Sequence, residues 1–509
     1  LDLLTDRAQL QPDRIAFTFY TDGERDAESF SYAELHQAAC RLAVQLQALN
    51  LQGERALILH PPGFDYLSAL FGCWYAGVVA VPAYPPRNRR NAERIQNIAL
   101  DAEVAVVLTA ENHLENTRHW LGEVLNVATL LWLTPQEIDQ NNPENHQFTE
   151  IPPETAILQY TSGSTGTPKG VMLTHGNLWA NSGMIAKGIQ SSPDDVAVTW
   201  LPPYHDMGLI GSILQPIYAG CPCVWMSPLS FLQQPYRWLK AISDYQGTLS
   251  VAPNFAYDLC VDKITPEQRK RLDLSSWRIA LTGAEPISPQ TLDRFTETFS
   301  ECGFQAESFY PCYGLAEATL LVTGGNDQIK PVIKTFSQSE LKRDRAIPTN
   351  DPENAQAFVS CGKPPQEQEI LIVNPKTLTP VQPNEIGEIW VRGDSVAKGY
   401  WNKETETQNT FYASLRDQPE KPFLRTGDLG SYQNGELYVT GRHKDIIIIR
   451  GENYYPQDIE KTVENAHIGL KKGCGAAFTI KPPFPNNQPP LKRDSPNNKP
   501  PLQRDSPNN

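Results

Sequence analysis

The sequence lacks the features that mark several large classes of protein. Its nine cysteines include one C-x-C pair, Cys221 and Cys223, and no C-x-x-C spacing, so no zinc site is predicted. An odd, unpatterned set of cysteines in a long chain is typical of reduced thiols and predicts a cytoplasmic protein. No basic cluster stands out, because 44 Lys and Arg stand against 58 Asp and Glu, a net charge of −14. Nucleic acid is therefore not a predicted partner.

A charged segment followed by an apolar one is also missing, so no signal peptide is predicted. The 19 uncharged residues from Tyr66 to Tyr84 approach the length that spans a membrane. They contain Gly72, Gly77 and Pro82, with a β-branched run just before the proline. We interpret the stretch as a buried helix that runs into a core strand, and predict no transmembrane segment.

Short apolar runs alternate with helical patterns through the first part of the chain. One such pattern covers 31–50, with Ser31 as a candidate N-cap and Glu34 three residues later. This alternation predicts an α/β fold, a mostly parallel sheet covered by helices. The candidate strands are 56–59, 78–81, 104–109, 129–133, 196–201, 223–226, 249–252 and 279–282.

From about residue 365 the sequence pattern changes to short strand-like runs separated by Gly, Pro and Asn turns. This pattern predicts a small β-rich subdomain. Asn434-Gly435 is a strong signal for a hairpin turn. Farther on, PPLKRDSPNN at 489–498 returns as PPLQRDSPNN at 500–509. Such a Pro/Asn-rich segment has too few large apolar residues to offset its ordering entropy, so 481–509 is predicted to be disordered.

The segment YTSGSTGTPKG at 160–170 follows an apolar run and has the composition of a phosphate-binding loop. Its three glycines let the backbone approach an anion, its hydroxyls donate hydrogen bonds, and Lys169 adds a positive charge. It is not a Walker A loop, because Pro168 precedes the lysine and the glycine spacing differs. The alternative is a flexible Ser/Gly linker.

This segment resembles the signature loop of the adenylate-forming superfamily, which includes acyl-CoA synthetases, nonribosomal-peptide adenylation domains and luciferases. Further matching segments occur in the family's order, and the match covers roughly residues 1–480. They are WLPPYHDMGLIG at 200–211, LTGAEPIS at 281–288, YPCYGLAEAT at 310–319, GEIWVRG at 387–393, YWN at 400–402, FLRTGDLG at 423–430 and GRHKDIIIIRGENYYPQDIE at 441–460.

The resemblance implies that a carboxylate attacks the α-phosphorus of ATP, so that pyrophosphate leaves and an acyl-AMP remains. It implies catalytic roles for Lys169, Glu317 and Arg442, and a positioning role for His205, for which core packing is the alternative. The cofactors implied are ATP and Mg²⁺, with Glu317 and Thr165 as metal ligands. The implied nucleotide-binding residues are Thr161, Ser162, Gly163, Ser164, Thr165, Gly166 and Thr167 at the phosphates, Gly283, Ala284, Glu285, Tyr313 and Gly314 around the adenine, and Asp428 at the ribose.

Within the superfamily the chain is most similar to fatty-acyl-AMP ligases, which pass acyl groups to an acyl-carrier protein or a polyketide or nonribosomal synthetase module. The long polar interval between Thr319 and Cys361 is where the insertion of these ligases would fall, and a long surface loop is the alternative. That insertion is thought to restrain the C-terminal domain. A long-chain acyl-CoA synthetase and an inactive nucleotide-binding fragment stay open as alternatives.

The implied architecture is an N-terminal adenylation domain at 1–440, including the β-rich subdomain at about 365–440. Residues 441–480 would be a hinge and the remnant of a truncated C-terminal α/β domain, with Lys444 or Asp445 at the hinge. The family's near-terminal lysine has no counterpart, because the Pro/Asn repeats stand in its place. We therefore expect nucleotide binding with impaired turnover.

Overall fold

The computed structural model describes residues 2–20, 27–86, 89–122, 130–140, 142, 144, 153–161, 168–325, 329–449, 452–467, 469–470 and 474–479. Its contacts divide the chain into two compact units, Leu1–Tyr455 and Pro456–Asn509. The first unit extends beyond residue 440, where the sequence placed a domain boundary. The predicted Pro/Asn-rich tail lies outside the described residues.

The helices and strands follow one another along the chain with these bounds. The strands are β1 (Ile15–Tyr20), β2 (Ala27–Ser31), β3 (Arg55–Ile58), β4 (Val79–Pro82), β5 (Val106–Leu108), β6 (Leu131–Leu133), β7 (Thr155–Thr161), β8 (Lys169–Thr174), β9 (Ala197–Thr199), β10 (Cys223–Met226), β11 (Leu249–Pro253), β12 (Ile279–Gly283), β13 (Phe309–Gly314), β14 (Leu321–Gly324), β15 (Ile333–Ser337), β16 (Ala355–Val359), β17 (Gln368–Asn374), β18 (Thr379–Pro380), β19 (Gly387–Gly393), β20 (Ala413–Leu415), β21 (Gln418–Gln433), β22 (Glu436–Arg442), β23 (Ile447–Ile449) and β24 (Glu452–Tyr454). The α-helices are α1 (Asp2–Leu10), α2 (Tyr32–Ala48), α3 (Phe64–Tyr75), α4 (Arg89–Asp101), α5 (Glu111–Gly122), α6 (Pro135–Ile138), α7 (His175–Ile189), α8 (Asp206–Leu209), α9 (Gln215–Ala219), α10 (Pro228–Gln233), α11 (Tyr236–Asp244), α12 (Asn254–Lys263), α13 (Pro266–Arg269), α14 (Pro289–Phe299), α15 (Gln338–Leu341), α16 (Glu404–Phe411) and α17 (Pro456–Asn465).

Two mixed sheets confirm the predicted α/β class. The first has the order β6-β5-β3-β4-β7-β8 and is parallel except for β8. Helix α2 begins with the predicted capping box, in which the Glu34 carboxylate accepts a hydrogen bond from the Ser31 backbone amide at 2.8 Å. The buried helix α3 runs into strand β4, as the uncharged stretch predicted.

The second sheet has the order β14-β13-β12-β11-β9-β10-β1-β2, in which only the edge strands β2 and β14 are antiparallel. An aromatic core covers part of it, with Trp238 and Trp277 centred 5.3 Å apart and both fully buried. Because β11, β12 and β13 are parallel neighbours, their carboxyl ends meet at one edge of the sheet. That edge carries the candidate site.

Strands β17 to β22 form an antiparallel sheet, which is the predicted β-rich region. The predicted hairpin turn joins β21 to β22, with positive φ angles of 57° at Asn434 and 85° at Gly435. These angles suit the two central residues of a type I′ turn. The hairpin places Asp428 of β21 opposite Arg442 of β22.

The interval between Thr319 and Cys361, which we call the insertion after its predicted role, is folded in its described residues, so the alternative of a long surface loop is wrong. Strands β15 and β16 pair antiparallel, and the short helix α15 follows the first of them. Phe336 of the insertion is fully buried against Tyr438 of β22. This hydrophobic anchoring fixes the insertion to the β-rich region.

Two contacts join this insertion to β24. The Asn453 side-chain amide donates to the Asp344 carboxylate at 2.7 Å, and its backbone amide donates to the Lys342 carbonyl at 3.1 Å.

The second unit contains α17. Among the described residues, no helix is both long and apolar enough to cross a bilayer.

Candidate active site

The carboxyl ends of β12 and β13 open onto a cavity of about 600 Å³. Ala284, Tyr313 and Gly314 line it there. A Cβ atom at Gly314 would lie 1.8 Å from the carbonyl oxygen of Leu320, so only glycine allows this close approach of backbones. Ala284 has a positive φ of 67°, a strained conformation for a residue with a side chain. The backbone at this edge is thus shaped for close packing against a ligand.

Asp428 is held on both of its oxygens at the rim of the same cavity. The Tyr313 hydroxyl donates to one oxygen at 2.7 Å, and the Arg442 Nε donates to the other at 3.1 Å. Burial raises the pKa of Asp428, while Arg442 and Tyr313 act against that rise. The carboxylate therefore stands in a prearranged orientation, with the exposed Arg442 side chain at the opening.

Glu317 lies in a short turn just after β13, and its carboxylate accepts a hydrogen bond from the Tyr400 hydroxyl at 2.8 Å. Burial raises the pKa of Glu317, and the carboxylates of Asp206 and Asp428 add to the rise. The Tyr400 hydrogen bond works in the opposite direction by favouring the charged form. Glu317 is therefore a partly desolvated carboxyl group with the carboxylates of Asp206 and Asp428 nearby.

The base of the Gly/Ser/Thr loop lies beside this acid. Thr161 ends β7, Lys169 begins β8, and the two residues are opposite each other in the antiparallel pair. Both line the cavity. The Lys169 ammonium stands 4.8 Å from the centre of the Tyr400 ring, a cation–π contact that orients it. The predicted phosphate-binding residues Ser162, Gly163, Ser164, Thr165, Gly166 and Thr167 lie outside the described residues.

His205 precedes α8 and lines the cavity mouth, where its side chain is 56% exposed. This exposure rules out the core-packing alternative. Its Nδ1 lies 2.6 Å from the Asp206 carboxylate, and this hydrogen bond raises the pKa of His205. The glycine that follows in the motif permits the tight turn, because a Cβ at Gly208 would lie 2.0 Å from the Pro202 carbonyl oxygen.

The structure thus brings most of the described candidate residues to one cavity, and leaves two aside. Those that line it are Thr161, Lys169, His205, Ala284, Tyr313, Gly314, Glu317, Asp428 and Arg442. Gly283 and Glu285 do not line it. The Glu285 carboxylate accepts from the backbone amide of Phe255 at 2.7 Å, so it caps the start of α12.

The cavity continues inward as an apolar arm between α7, β9, β11 and the segment from α8 to α9. Residues at the starts of β9 and β11, Ala197 and Leu249, line its inner end together with Cys221. The sheet register sets Ala197, Leu249 and Ile279 side by side. Ala284 at the mouth is five residues beyond Ile279, so the arm runs for about 17 Å at ~3.3 Å per residue.

Comparison with known proteins shows the family to which this architecture belongs. Residues 4–401 match the model of the AMP-binding enzyme family. The chain is 45% identical over 489 residues to the medium-chain-fatty-acid–[acyl-carrier-protein] ligase JamA of Moorena producens, covering 94% of this chain and 83% of that protein. The chain belongs to the AMP-binding enzyme family. Within it, this chain is a fatty-acyl-AMP ligase of the adenylate-forming superfamily.

Two further relatives bear on this fatty-acyl-AMP ligase. The fatty acyl-adenylate ligase of L. pneumophila, solved in complex with acyl adenylate and pyrophosphate, superimposes with a TM-score of 0.83 at 42% identity, covering 91% of this chain and 81% of that one. A putative fatty-acid–CoA ligase of Mycobacterium leprae is 36% identical over 480 residues, covering 91% and 82%. This coverage gives no evidence of truncation, which stays a prediction.

Sequence reasoning missed three residues at the mouth of this ligase. Asp206 orients His205, Tyr400 bonds Glu317, and Thr426 lines the rim and accepts from the Asp428 amide at 3.1 Å. All three lie inside the motifs at 200–211, 400–402 and 423–430, so the sequence did carry a signal for them. Their roles depend on which side chains meet across the fold, and a motif does not state that.

Apolar residues in and after the middle motifs divide between the arm and the core. Met207 lines the cavity. Phe231 and Trp238 are fully buried in the aromatic core, and Phe255 is 44% exposed. Four more are buried core residues that do not line the cavity: Leu209, Ile210, Ile213 and Leu214.

Proposed function

We propose that this chain uses ATP to convert a fatty acid to its acyl-adenylate, releasing pyrophosphate, and that the acyl group then passes to an acyl-carrier protein. The observation that carries the proposal is a single cavity in which Lys169, Glu317 and Asp428 meet at the mouth of an apolar arm. An acyl chain requires the arm, and a nucleotide requires the polar mouth. The protein carrier is proposed because JamA is named as a ligase for one.

In this proposal a carboxylate oxygen attacks the α-phosphorus of ATP, and the bond from that phosphorus to the pyrophosphate oxygen breaks. No general base is needed, since a fatty acid is already ionised at neutral pH. The difficulty is repulsion between two anions, so fixed positive charge at the mouth should carry the catalysis. Lys169 and Arg442 supply that charge, while Asp428 binds the ribose hydroxyls. His205, at the junction of mouth and arm, positions the acid.

The mouth also fits a divalent cation. Glu317 is partly desolvated and lies near the carboxylates of Asp206 and Asp428, a surplus of negative charge. Among the described residues no cluster of three or more His, Cys, Asp or Glu could hold a metal alone. Mg²⁺ matches this donor set, because it is usually held by one or two carboxylates and the substrate phosphates. When bound, it would neutralise phosphate charge beside Glu317. Thr165, the second proposed ligand, is outside the described residues.

The test measures fatty-acid-dependent exchange of pyrophosphate into ATP, followed by product analysis with coenzyme A or a phosphopantetheinylated acyl-carrier protein. We expect exchange with medium-chain acids and transfer to the carrier. Formation of acyl-CoA at a comparable rate would favour the alternative of an acyl-CoA synthetase. Nucleotide binding without exchange would favour the inactive fragment.

A further inference from the structure

The apolar arm contains a polar side chain with nothing to bond. Gln215 lines the arm and is 3% exposed, yet neither its Oε1 nor its Nε2 has a hydrogen-bond partner among the described residues. Buried amides are nearly always paired, since an unpaired donor or acceptor bears its full desolvation cost. Because both atoms lack a partner, this holds whichever way the amide is turned.

Three other polar side chains that line the arm are paired. The Ser212 hydroxyl donates to the Met207 carbonyl at 3.3 Å, and Thr199 accepts from the Leu201 amide at 3.1 Å. Ser250 donates to the Val198 carbonyl at 2.6 Å and accepts from the Trp238 indole at 2.9 Å. The Ser191 hydroxyl, at the inner end, also has no hydrogen-bond partner among the described residues. The local structure therefore satisfies the polar groups next to Gln215 and leaves both atoms of its amide open.

The backbone explains how the glutamine comes to face the arm. Ile210–Leu214 is a π-helical turn, in which the Gln215 amide bonds the Ile210 carbonyl five residues earlier. Pro216 follows and has no N–H, which leaves the Ser212 carbonyl free to accept from the Cys223 thiol at 3.4 Å. The wide turn changes the facing of the residues after it, and such turns are frequent at functional sites.

We propose that Gln215 recognises a hydroxyl group on the acyl chain, so that the preferred substrate is a hydroxylated medium-chain fatty acid. This inference rests on the proposed function. A hydroxyl both donates and accepts, so it can satisfy the Oε1 and the Nε2 of one amide. A plain acyl chain would leave both atoms unpaired in an apolar arm, and the site would discriminate against it.

The position of the hydroxyl on the acyl chain follows from the depth of Gln215 in the arm. Gln215 is eight residues beyond Met207, which lines the mouth beside His205. At up to ~1.5 Å per helical residue this is at most about 12 Å into the arm, and less across the wide turn. The arm itself is about 17 Å long by the strand register, at ~3.3 Å per residue. The hydroxyl is therefore far from the carboxylate, beyond the middle of the chain.

The experiment compares octanoic acid with its monohydroxy isomers, substituted either near the carboxylate or near the far end, in the pyrophosphate-exchange assay. We expect the far-end isomer to exceed octanoic acid by roughly 10-fold in kcat/KM, mostly through KM, the size of one buried hydrogen bond. The near-carboxylate isomer should gain nothing. Gln215→Leu should reverse the order of octanoic acid and the far-end isomer, without lowering the melting temperature.

A matched control is Gln368→Leu. Gln368 is also buried, and its Nε2 has no partner in the described part of the chain, but it does not line the cavity. Its substitution should leave the ratio between the acids unchanged. If wild-type protein prefers octanoic acid, or if Gln215→Leu alters all acids equally, the inference is overturned while the proposed function stands. If no acid supports exchange, the proposed function itself fails.

Discussion

The mouth and the apolar arm of the cavity are built in opposite ways. At the mouth, Asp428 and Glu317 each accept hydrogen bonds from groups on other elements, so their positions are fixed before any ligand arrives. In the arm, α7, β9, β11 and α9 each contribute two or three lining residues, and Gln215 is unpaired among them. The difference teaches that the mouth is prearranged for one reaction. Substitutions in the arm can therefore alter the preference for an acid without moving the hydrogen-bonded residues of the mouth.

Removal of the positive charge of Lys169 should test the mouth most severely. We expect Lys169→Ala to lower kcat for adenylate formation by roughly 10²–10³-fold, because a preorganised charge beside the reacting phosphate is lost. Single-turnover measurement with saturating ATP and fatty acid checks this. Lys187→Ala is the control, since Lys187 pairs with Glu367 on the surface and does not line the cavity. Equal rates for the two variants would contradict the assignment.

Asp428→Asn should have the next largest effect. It removes the charge opposite Arg442 and one acceptor proposed for the ribose, so the KM for ATP should rise by roughly 10- to 100-fold. The KM for the fatty acid should change little, because the arm is untouched. Asp258→Asn, which disturbs the contacts of Asp258 with Arg294 and Thr291 outside the cavity, is the matched control. An unchanged KM for ATP would remove Asp428 from the nucleotide site.

Tyr400→Phe should change the pH dependence of the mouth. The Tyr400 hydroxyl favours the charged form of Glu317, whose pKa burial raises. Without the hydroxyl that pKa rises further, so the acidic limb of kcat/KM moves to higher pH. We expect kcat/KM to fall about 10-fold at pH values below the acidic limb and to change little at pH values above it. Tyr412→Phe, outside the cavity, should leave the profile unchanged. A uniform loss at all pH values would contradict this explanation.

A substitution at the inner end of the arm should separate the two regions. Ala219→Leu would fill space beside Cys221, so long acids should lose about 10-fold in kcat/KM while short acids and the KM for ATP are retained. Overpacking should lower the free energy of unfolding by roughly 1–3 kcal/mol, which urea denaturation measures. Should the KM for ATP rise in parallel, the two regions are coupled and the comparison fails.

The smallest effect is expected away from both regions. Asp344→Ala removes the bond from Asn453 that joins the insertion to β24, at a cost of about 1 kcal/mol in the free energy of unfolding. If the insertion restrains the C-terminal domain, acyl-CoA formation should increase slightly while pyrophosphate exchange is unchanged. Ser339→Ala, elsewhere in the insertion, serves as the control. A large loss of exchange would show that the insertion supports the mouth instead.

Much of the fold followed from local patterns. The strand β10 falls where the apolar run predicted it, and the Asn434-Gly435 turn joins β21 to β22. The capping box at Ser31 begins α2. These features depend on residues that are neighbours in sequence, so local patterns predicted them. The place of the insertion was predicted but its strands β15 and β16 were not, because its stability comes from burying Phe336 against Tyr438, a residue far along the chain.

The sequence by itself determined the family, the α/β class and most of the candidate residues that meet at the mouth, because each depends on local patterns or on short motifs with fixed spacing. Tertiary structure alone decided that Tyr400 bonds Glu317, that Tyr313 and Arg442 share Asp428, and which side chains line the arm. The physical reason is that a hydrogen bond or a cavity wall needs atoms brought together from distant elements. Apolar residues of the arm and of the core have the same composition, and only packing separates them.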